Sequence, residues 1–253
     1  MGISAVLIVK NEEKNIQACL ETLRFTDESL VVDSGSSDRT KVLAQTMASR
    51  VVSRNFDDFA SQKNFAVNLA SQDWILSIDA DERVSEALKQ EIVSITNHAK
   101  ALDAYAIYRF TNFFGRDFVA SGLQKDAPIR LFRRGKAVFV NPVHEVVRVK
   151  GKTGKLKNRL YHRSFQTIHE HLTKLQLYTE VEAQKAVMPL KKGGFDLFFV
   201  RPFYRFFSIY VLKQGSRDGI EGFFYAVLSG YYEWVRWMKQ WEISWQNKDG
   251  KIP

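Results

Sequence analysis

An apolar segment of this sequence ends directly in a group of carboxylates. The segment runs from Trp74 to Ile78, and Asp79, Asp81 and Glu82 follow it. Its composition is typical of a strand buried in a sheet, and ligands of open α/β sheets bind at the carboxyl ends of such strands. Carboxylates grouped there need a neutralising cation, and Mg²⁺ or Mn²⁺ bound to phosphates suits their hard oxygens. The alternative is a solvated acidic turn after a strand.

Strands and helices alternate before this segment. Apolar strands are predicted at 3–9, 30–32 and 51–52, and the helix preceding the strand at 74–78 is predicted at 59–70. This alternation predicts a mostly parallel sheet with right-handed crossovers. The chain is therefore expected to be an α/β protein.

Three polar clusters are expected to meet at the carboxyl edge of this sheet. They are Lys10–Glu12, Asp33–Ser36 and Asp79–Asp81, and each follows a predicted strand directly. No glycine-rich dinucleotide fingerprint and no P-loop sequence follows any of these strands. We therefore expect a bound nucleotide to be held by carboxylates, amides and a metal ion.

Four ordered motifs resemble those of inverting family 2 glycosyltransferases, and more narrowly those of bacterial lipopolysaccharide core β-glucosyltransferases. The motifs are Ile3–Glu12, Val31–Thr40, Gln62–Ala66 and Asp79–Glu82. The resemblance implies the GT-A fold, a Rossmann-like mixed sheet, for a catalytic domain at residues 1–165. Within it, a nucleotide-sugar half is expected at about 1–100 and an acceptor half at about 101–165.

The same resemblance implies roles for individual residues. Asp33 would contact the nucleotide base or ribose, although an aspartate at this turn can also serve as a cap. Asp79 and Asp81 would bind the ribose and the metal ion on the donor diphosphate. Apart from the resemblance, the leaving diphosphate needs a cationic group, and Lys63 could contact phosphate; the alternative is a lone surface lysine. The predicted nucleotide contacts also include Asn11 and Glu12.

A histidine late in the domain is expected to complete the metal site, since enzymes of the GT-A fold often use one. His162 is the best-placed candidate, and it follows a predicted hairpin formed by 146–149 and 156–161. His169 and His171 are competing candidates on the next predicted helix, with a helix-surface position as their alternative role.

Inversion by direct displacement requires a base near the acceptor hydroxyl and charge stabilisation on the leaving diphosphate. The resemblance places the base in a His-Glu element, so we predict Glu145 as the base. His144 could tune it or take the role itself; the alternative is an exposed glutamate beside a structural histidine. Arg130 and Arg133, in a predicted hairpin with 137–140, are expected to share a strand face and contact an anionic acceptor or the diphosphate, or else form a solvated basic face.

Residues 166–253 are predicted to form a helical appendage in which basic and aromatic residues alternate. The chain has a net charge of +9, and this mixture is typical of helices that lie on a membrane surface. A last helix at 220–245 would align four tryptophans on one face. The alternative is an appendage that packs on the catalytic domain or on a second subunit of a homo-oligomer. Nucleic acid is not an expected partner, because no RNA-binding signature is present.

We therefore expect a hexosyltransferase of EC class 2.4 that uses Mg²⁺ or Mn²⁺. It would move a sugar, by resemblance glucose, from a UDP-sugar to a hydroxyl of a lipid-linked or lipopolysaccharide-core glycan. A single cysteine and the lack of a recognisable signal peptide favour the cytoplasm, peripherally at the inner membrane. The alternatives are a polyprenyl-phosphate glycosyltransferase and a non-catalytic module that binds sugar nucleotides or membranes.

Overall fold

A computed structural model of the protein describes residues 1–141, 146–185 and 196–248. The chain divides into two compact units. The first unit comprises Met1–Phe110 and Lys125–Arg163, and the second comprises Thr111–Gln124 and the chain from Ser164 onward. The segment 111–124, which the sequence analysis placed in the acceptor half, thus groups with the C-terminal helices.

The described residues form thirteen strands and seven α-helices. The strands are β1 Ile3–Val9, β2 Glu28–Asp33, β3 Arg50–Ser53, β4 Trp74–Ser77, β5 Glu82–Val84, β6 Ala104–Ala106, β7 Arg109–Phe113, β8 Arg116–Asp117, β9 Ile129–Arg133, β10 Ala137–Val140, β11 Val146–Val149, β12 Thr153–Lys155 and β13 Leu160–Arg163. The helices are α1 Ile16–Thr22, α2 Thr40–Gln45, α3 Phe59–Leu69, α4 Glu86–Thr96, α5 Ile168–Lys185, α6 Arg201–Phe207 and α7 Gly219–Lys248.

A seven-stranded sheet forms the centre of the first unit, in the order β12-β6-β9-β4-β1-β2-β3. Strands β1 to β4 are parallel to one another, as their alternation with helices predicts. Side chains of β1 alternate between two cores, one with α1, α2 and α4 and the other with α3. Asp58 and Ser85 cap α3 and α4. Helices therefore cover both faces, and the carboxyl ends of β1, β2 and β4 share one edge.

Both predicted hairpins are wrong. Strand β9 does not pair with β10 but lies antiparallel between β4 and β6, whereas β10 pairs with β11 in a separate two-stranded sheet. Strands β12 and β13 pair with β6 and β5, so neither is a partner of β11. The physical reason lies in burial: Leu131 and Phe132 have no exposed surface, and a central position buries both faces of β9, which a hairpin would not.

The second unit is built around the long helix α7. On one side α7 contacts α5, where the Tyr232 hydroxyl donates to Glu182 over 2.7 Å and Lys239 pairs with Glu180 at 3.1 Å. On another side it contacts α6 so closely that a Cβ on Gly230 would lie 2.9 Å from the Pro202 carbonyl oxygen. Within the described residues, no helix combines the length and apolarity needed to cross a membrane.

His171 of α5 lies between aromatic rings of the second unit, rather than on the helix surface. Its ring centroid is 4.6 Å from that of Phe165 and 5.6 Å from that of Phe113. Burial lowers the pKa of His171 to about 4. The unfolded chain, with an ordinary histidine pKa, therefore binds more protons between about pH 6.5 and 4, and stability must fall as the pH falls through this range.

We expect the variant His171→Leu to lose less stability than wild type between pH 7 and pH 4.5. Urea unfolding at the two pH values measures the difference. His169→Leu is the matched control, because His169 is exposed on the same helix and its variant should keep the wild-type dependence. An equal pH dependence in wild type and His171→Leu would contradict the expected effect of burial.

Candidate active site

The turn after β4 is closed by its own residues. The backbone N–H of Glu82 donates to the Asp79 carbonyl over 2.9 Å, and the Asp79 N–H donates to the Glu82 carboxylate over 2.9 Å. The Glu82 side chain has no exposed surface, so it acts as an internal brace. Asp79 and Asp81 are left at the carboxyl edge of the sheet.

Asp79 is neutralised by cations of the protein itself. Lys63 Nζ lies 3.1 Å from Asp79 Oδ1, and Arg130 pairs with the other carboxylate oxygen. The same arginine contacts Glu82 over 2.6 Å, and Arg109 approaches Glu82 to 3.6 Å. The side chain of Asp79 is 32% exposed and that of Arg130 only 5%. Asp79 is thus paired with two buried cations and is still partly exposed.

The environment of this turn shifts the pKa values of Asp79 and Glu82 in opposite directions. Desolvation acts to raise the pKa of Asp79, but Arg130 and Lys63 outweigh it and hold that pKa well below its ordinary value. Burial raises the pKa of Glu82, and the neighbouring charge of Asp79 adds to this rise against the opposing effect of Arg130. The pKa of Asp79 thus lies below the ordinary value for its group, and the pKa of Glu82 lies above the ordinary value for its group.

Asp81 and His162 come together through strand pairing. Strand β13 runs antiparallel to β5 with His162 opposite Glu82, and the Arg163 N–H donates to the Asp81 carbonyl over 2.8 Å. As a result, His162 Nε2 lies 3.5 Å from Asp81 Oδ2. A carboxylate oxygen and an imidazole nitrogen side by side are donors that suit Mn²⁺ or Mg²⁺.

A complete metal cage is not present within the described part of the chain. No group of three or more His, Cys, Asp or Glu side chains converges there on one point. Mg²⁺ usually keeps several waters and takes further ligands from substrate phosphates. The chemistry of Asp81 and His162 would fit an ion of this kind held together with a diphosphate.

The loops after β1 and β2 are tied to each other. The Asn11 side chain accepts from the Ser37 N–H over 2.8 Å, and the Asn11 N–H donates to Ser36 Oγ over 3.0 Å. The Glu12 N–H donates to Thr40 Oγ1 over 2.7 Å. Asn11 takes a left-handed backbone with φ 55°, which asparagine tolerates well. Asn11 and Glu12 therefore join the loop after β1 to the loop after β2.

Asp33 is buried and caps its own turn. Its carboxylate accepts from the N–H groups of Gly35 and Ser36, each over 3.2 Å. These bonds close a local turn and do not cap α2, which begins at Thr40 with Arg39 at its N-cap position. They fix the position of Asp33 at the end of β2, next to the ends of β1 and β4.

Three consecutive residues of α3 contact three different parts of the first unit. Of these three residues, only Lys63 was predicted from the sequence to have a role. The buried Gln62 donates to Ser34 Oγ over 3.0 Å. Lys63 reaches Asp79, and it is buried rather than a surface lysine. Asn64 exchanges two hydrogen bonds with the backbone of Phe139. Successive helical residues point about 100° apart, so the polar run Gln62–Asn64 on a packed helix was the available signal.

The prediction that Arg130 and Arg133 share a strand face is wrong, and so is the solvated alternative for Arg130. Residues three apart on a strand point to opposite faces. Arg130 is buried against Asp79, while Arg133 pairs with Trp74 at the start of β4, its guanidinium 4.6 Å from the indole ring. Arg133 therefore lies at the opposite end of β4 from Asp79 and is not a phosphate contact in this geometry.

Two predicted catalytic residues, Glu145 and His144, lie outside the described residues. His169 and His171 belong to the second unit. The buried Glu82 and Arg130 and the half-buried Arg109 support the site. Neither the role of Arg109 nor the bracing role of Glu82 was predicted, because burial of a charge on a strand has no local pattern.

Comparison with known proteins identifies the family. The model of the glycosyl transferase family 2 matches residues 4–151, more than half of the chain. The lipopolysaccharide core biosynthesis glycosyltransferase LpsC of Rhizobium meliloti (strain 1021) is 29% identical over 244 residues, which cover 93% of this chain and 90% of LpsC. The uncharacterized glycosyltransferase RC0292 of Rickettsia conorii is 29% identical over 266 residues, covering 98% and 92%.

A solved structure shows the same fold. The crystal structure of S. aureus TarS 1–349 in complex with UDP-GlcNAc superposes with a TM-score of 0.51 and 16% identity, covering 100% of this chain and 93% of TarS. The protein belongs to glycosyltransferase family 2, and its first unit has the GT-A fold that the four motifs predicted. It is a glycosyltransferase, and the resemblance to family 2 is confirmed.

Proposed function

We propose that this enzyme transfers a sugar from a UDP-sugar, with inversion, to a hydroxyl of a lipopolysaccharide-core glycan. The main supporting observation is the pair Asp81–His162 beside the anchored Asp79 at the carboxyl edge of the sheet. The name of LpsC supports the acceptor class, and the TarS complex supports a UDP-sugar donor. Glucose follows from the sequence resemblance. We propose that the reaction takes place at the cytoplasmic face of the inner membrane, where the enzyme would meet a lipid-anchored acceptor.

Each residue has a task in this proposal. Asp81 and His162 would hold Mg²⁺ or Mn²⁺, which when bound offsets the negative charge of the departing diphosphate. Asp79 would accept hydrogen bonds from the donor ribose, and Asp33 would face the base. Glu145 would take the proton from the acceptor hydroxyl.

Lys63, Arg130 and Glu82 act as positioning residues. They fix the Asp79 carboxylate in one orientation before the donor binds, and preorganised charge needs no rearrangement during the reaction. Lys63, predicted as a phosphate contact, is already paired with Asp79 at 3.1 Å. Its contribution to the reaction is therefore proposed to be the placement of Asp79.

Transfer to polyprenyl phosphate is less well supported. That acceptor is already anionic and would depend on neighbouring arginines rather than on a base. The two candidate arginines lie apart, since Arg130 is buried with Asp79 and Glu82 while Arg133 packs on Trp74. A hydroxyl acceptor fits the chain better.

The proposal is tested in two stages. Thermal shift with a panel of nucleotide sugars and Mn²⁺ identifies the donor, because a ligand that binds the folded state raises its stability. Transfer of labelled sugar to purified core glycan, and to polyprenyl phosphate, then identifies the acceptor. A UDP-sugar that binds without any transfer would favour the non-catalytic alternative, and product on polyprenyl phosphate would favour the other enzyme.

Glu145→Gln is expected to lower kcat by about 10²–10⁴-fold, the usual contribution of a general base. Donor affinity should stay at the wild-type value, because the amide keeps the shape of the carboxylate. Steady-state transfer assays and donor titrations measure the two quantities. His144→Gln is the companion variant. A large loss of kcat in His144→Gln with little loss in Glu145→Gln would transfer the role of base to His144.

A further inference from the structure

A continuous apolar face covers the outer side of the second unit. The π-helical turns and α6 between 196 and 212 expose Val200, Phe203, Tyr204, Phe207 and Val211. These positions recur with the period of a helix, opposite the buried residues of the same segment. Phe203 and Tyr204 are 60% and 62% exposed, values that are unusual for aromatic side chains packed in a domain.

Helix α7 exposes a second stripe with the same character. It begins with Ile220, Phe224, Val227 and Tyr231, at spacings of four, three and four residues. Further along the helix, Met238, Trp241 and Trp245 are also exposed, and the last two indole rings stack. The stripe therefore runs along most of the helix.

Contacts between the two helices join the stripes into one face. The ring of Phe203 lies 5.7 Å from that of Trp234, at the border of both exposed stripes. The exposed Phe223 also packs against Phe206 and Tyr210, at 5.7 and 5.6 Å. The surface formed by the α6 and α7 stripes is called the apolar face below. Large contiguous apolar patches on a protein surface mark interaction surfaces.

The charge around the apolar face indicates what it contacts. Residues 198–217 contain four basic residues and no acidic ones: Arg201, Arg205, Lys213 and Arg217. All four are exposed. On α7, Glu221 and Glu233 are paired with Arg116 and Arg236, whereas Glu242 is an exposed acidic residue next to Trp241 in the sequence. Basic side chains beside an aromatic and aliphatic helical face are the composition of helices that lie in an anionic lipid interface.

We infer that the apolar face of the second unit docks on an anionic lipid surface. The aromatic side chains enter the headgroup region, and the four cations bind lipid phosphates. The inference adds a second binding surface to the proposed function, because a lipid-anchored acceptor lies at such a surface. It does not depend on the transfer reaction, since lipid binding is measurable without donor or acceptor.

Vesicle flotation with the full chain tests the inference. Wild-type protein is expected to float with vesicles of mixed phosphatidylcholine and phosphatidylglycerol, and to do so far less with phosphatidylcholine alone. Arg201→Glu/Arg205→Glu should lower the partition coefficient by about 30-fold or more, since each basic residue contributes strongly near an anionic surface. Tyr204→Ser/Phe207→Ser should lower it by about 10-fold or more, through lost apolar burial.

Matched control variants distinguish a specific effect of the apolar face from a general effect of net charge or surface hydrophobicity on vesicle binding. Arg24→Glu/Arg50→Glu makes the same change in net charge on exposed residues of the first unit, and Phe56→Ser removes an exposed aromatic ring there. Both should bind vesicles nearly as wild type does. Circular dichroism and nucleotide-sugar thermal shift check that every variant is folded.

Two results would overturn the inference. The first is wild-type protein that ignores anionic vesicles while still binding a nucleotide sugar. The second is equal vesicle binding by the face variants and their controls. If the protein instead sediments as a dimer that Tyr204→Ser/Phe207→Ser converts to a monomer, and no vesicles bind, the face joins two copies of the chain. Loss of transfer alone, with lipid binding intact, would count only against the proposed function.

Discussion

Arg130→Met is expected to lower the free energy of unfolding by about 3–5 kcal/mol, the usual result of removing one partner from a buried ion pair. The substitution keeps most of the side-chain volume but leaves Glu82 buried with only Arg109 at 3.6 Å. It also removes one of the two cations at Asp79. Urea unfolding at neutral pH measures the change.

Arg133→Met is the matched control for this measurement. It lies on the same strand, but its guanidinium packs over the Trp74 ring at the other end, and such contacts contribute about 0.5–1 kcal/mol at exposed sites. Adding Glu82→Gln to Arg130→Met should recover part of the loss, because it removes the uncompensated carboxylate. Equal, small losses in both single variants would show that the buried network does not stabilise the fold.

Asp81→Asn is expected to reduce kcat/KM for sugar transfer by about 100-fold or more, since stabilisation by a bound metal is worth several kcal/mol. The fold should survive, because asparagine has nearly the same size and shape as aspartate. Isothermal titration of Mn²⁺ with UDP gives an independent readout, and the affinity for Mn²⁺ should fall in Asp81→Asn and in His162→Ala alike.

Asp73→Asn is the control, because Asp73 is an exposed carboxylate before β4, at the opposite end of the same strand. It should keep both the activity and the Mn²⁺ affinity of wild type. Unchanged Mn²⁺ affinity in Asp81→Asn would remove Asp81 from the metal site, whatever happens to the activity.

In the first unit, sequence patterns predicted where strands and helices occur better than they predicted which strands pair. The parallel order of β1 to β4 follows from short-range alternation, which a sequence displays directly. The position of β9 in the sheet does not follow from such a pattern, because a strand buried on both faces has the same composition wherever it joins the sheet. For this reason the hairpins were wrong although their strands exist.

The same distinction holds for the candidate site. Asp79 and Asp81 stand in a motif that is visible in the sequence, and the structure brings His162 to Asp81 through the pairing of β13 with β5. The burial of Arg130 and the bracing role of Glu82 could not be predicted. Both depend on a side chain 48 residues away, and no local periodicity reports such a charge pair.

The antiparallel insertion of β9 has a consequence for how the protein forms during synthesis. The Asp79 turn emerges from the ribosome about 50 residues before Arg130 does, and His162 follows later still. Until then the sheet ends at β4, and Glu82 lacks its main counter-charge. The segment from β9 to β13 thus completes a sheet and a charge network that residues 1–84 begin. The arrangement of Asp79, Asp81 and His162 at the carboxyl edge can be complete only after the chain has been made past residue 163.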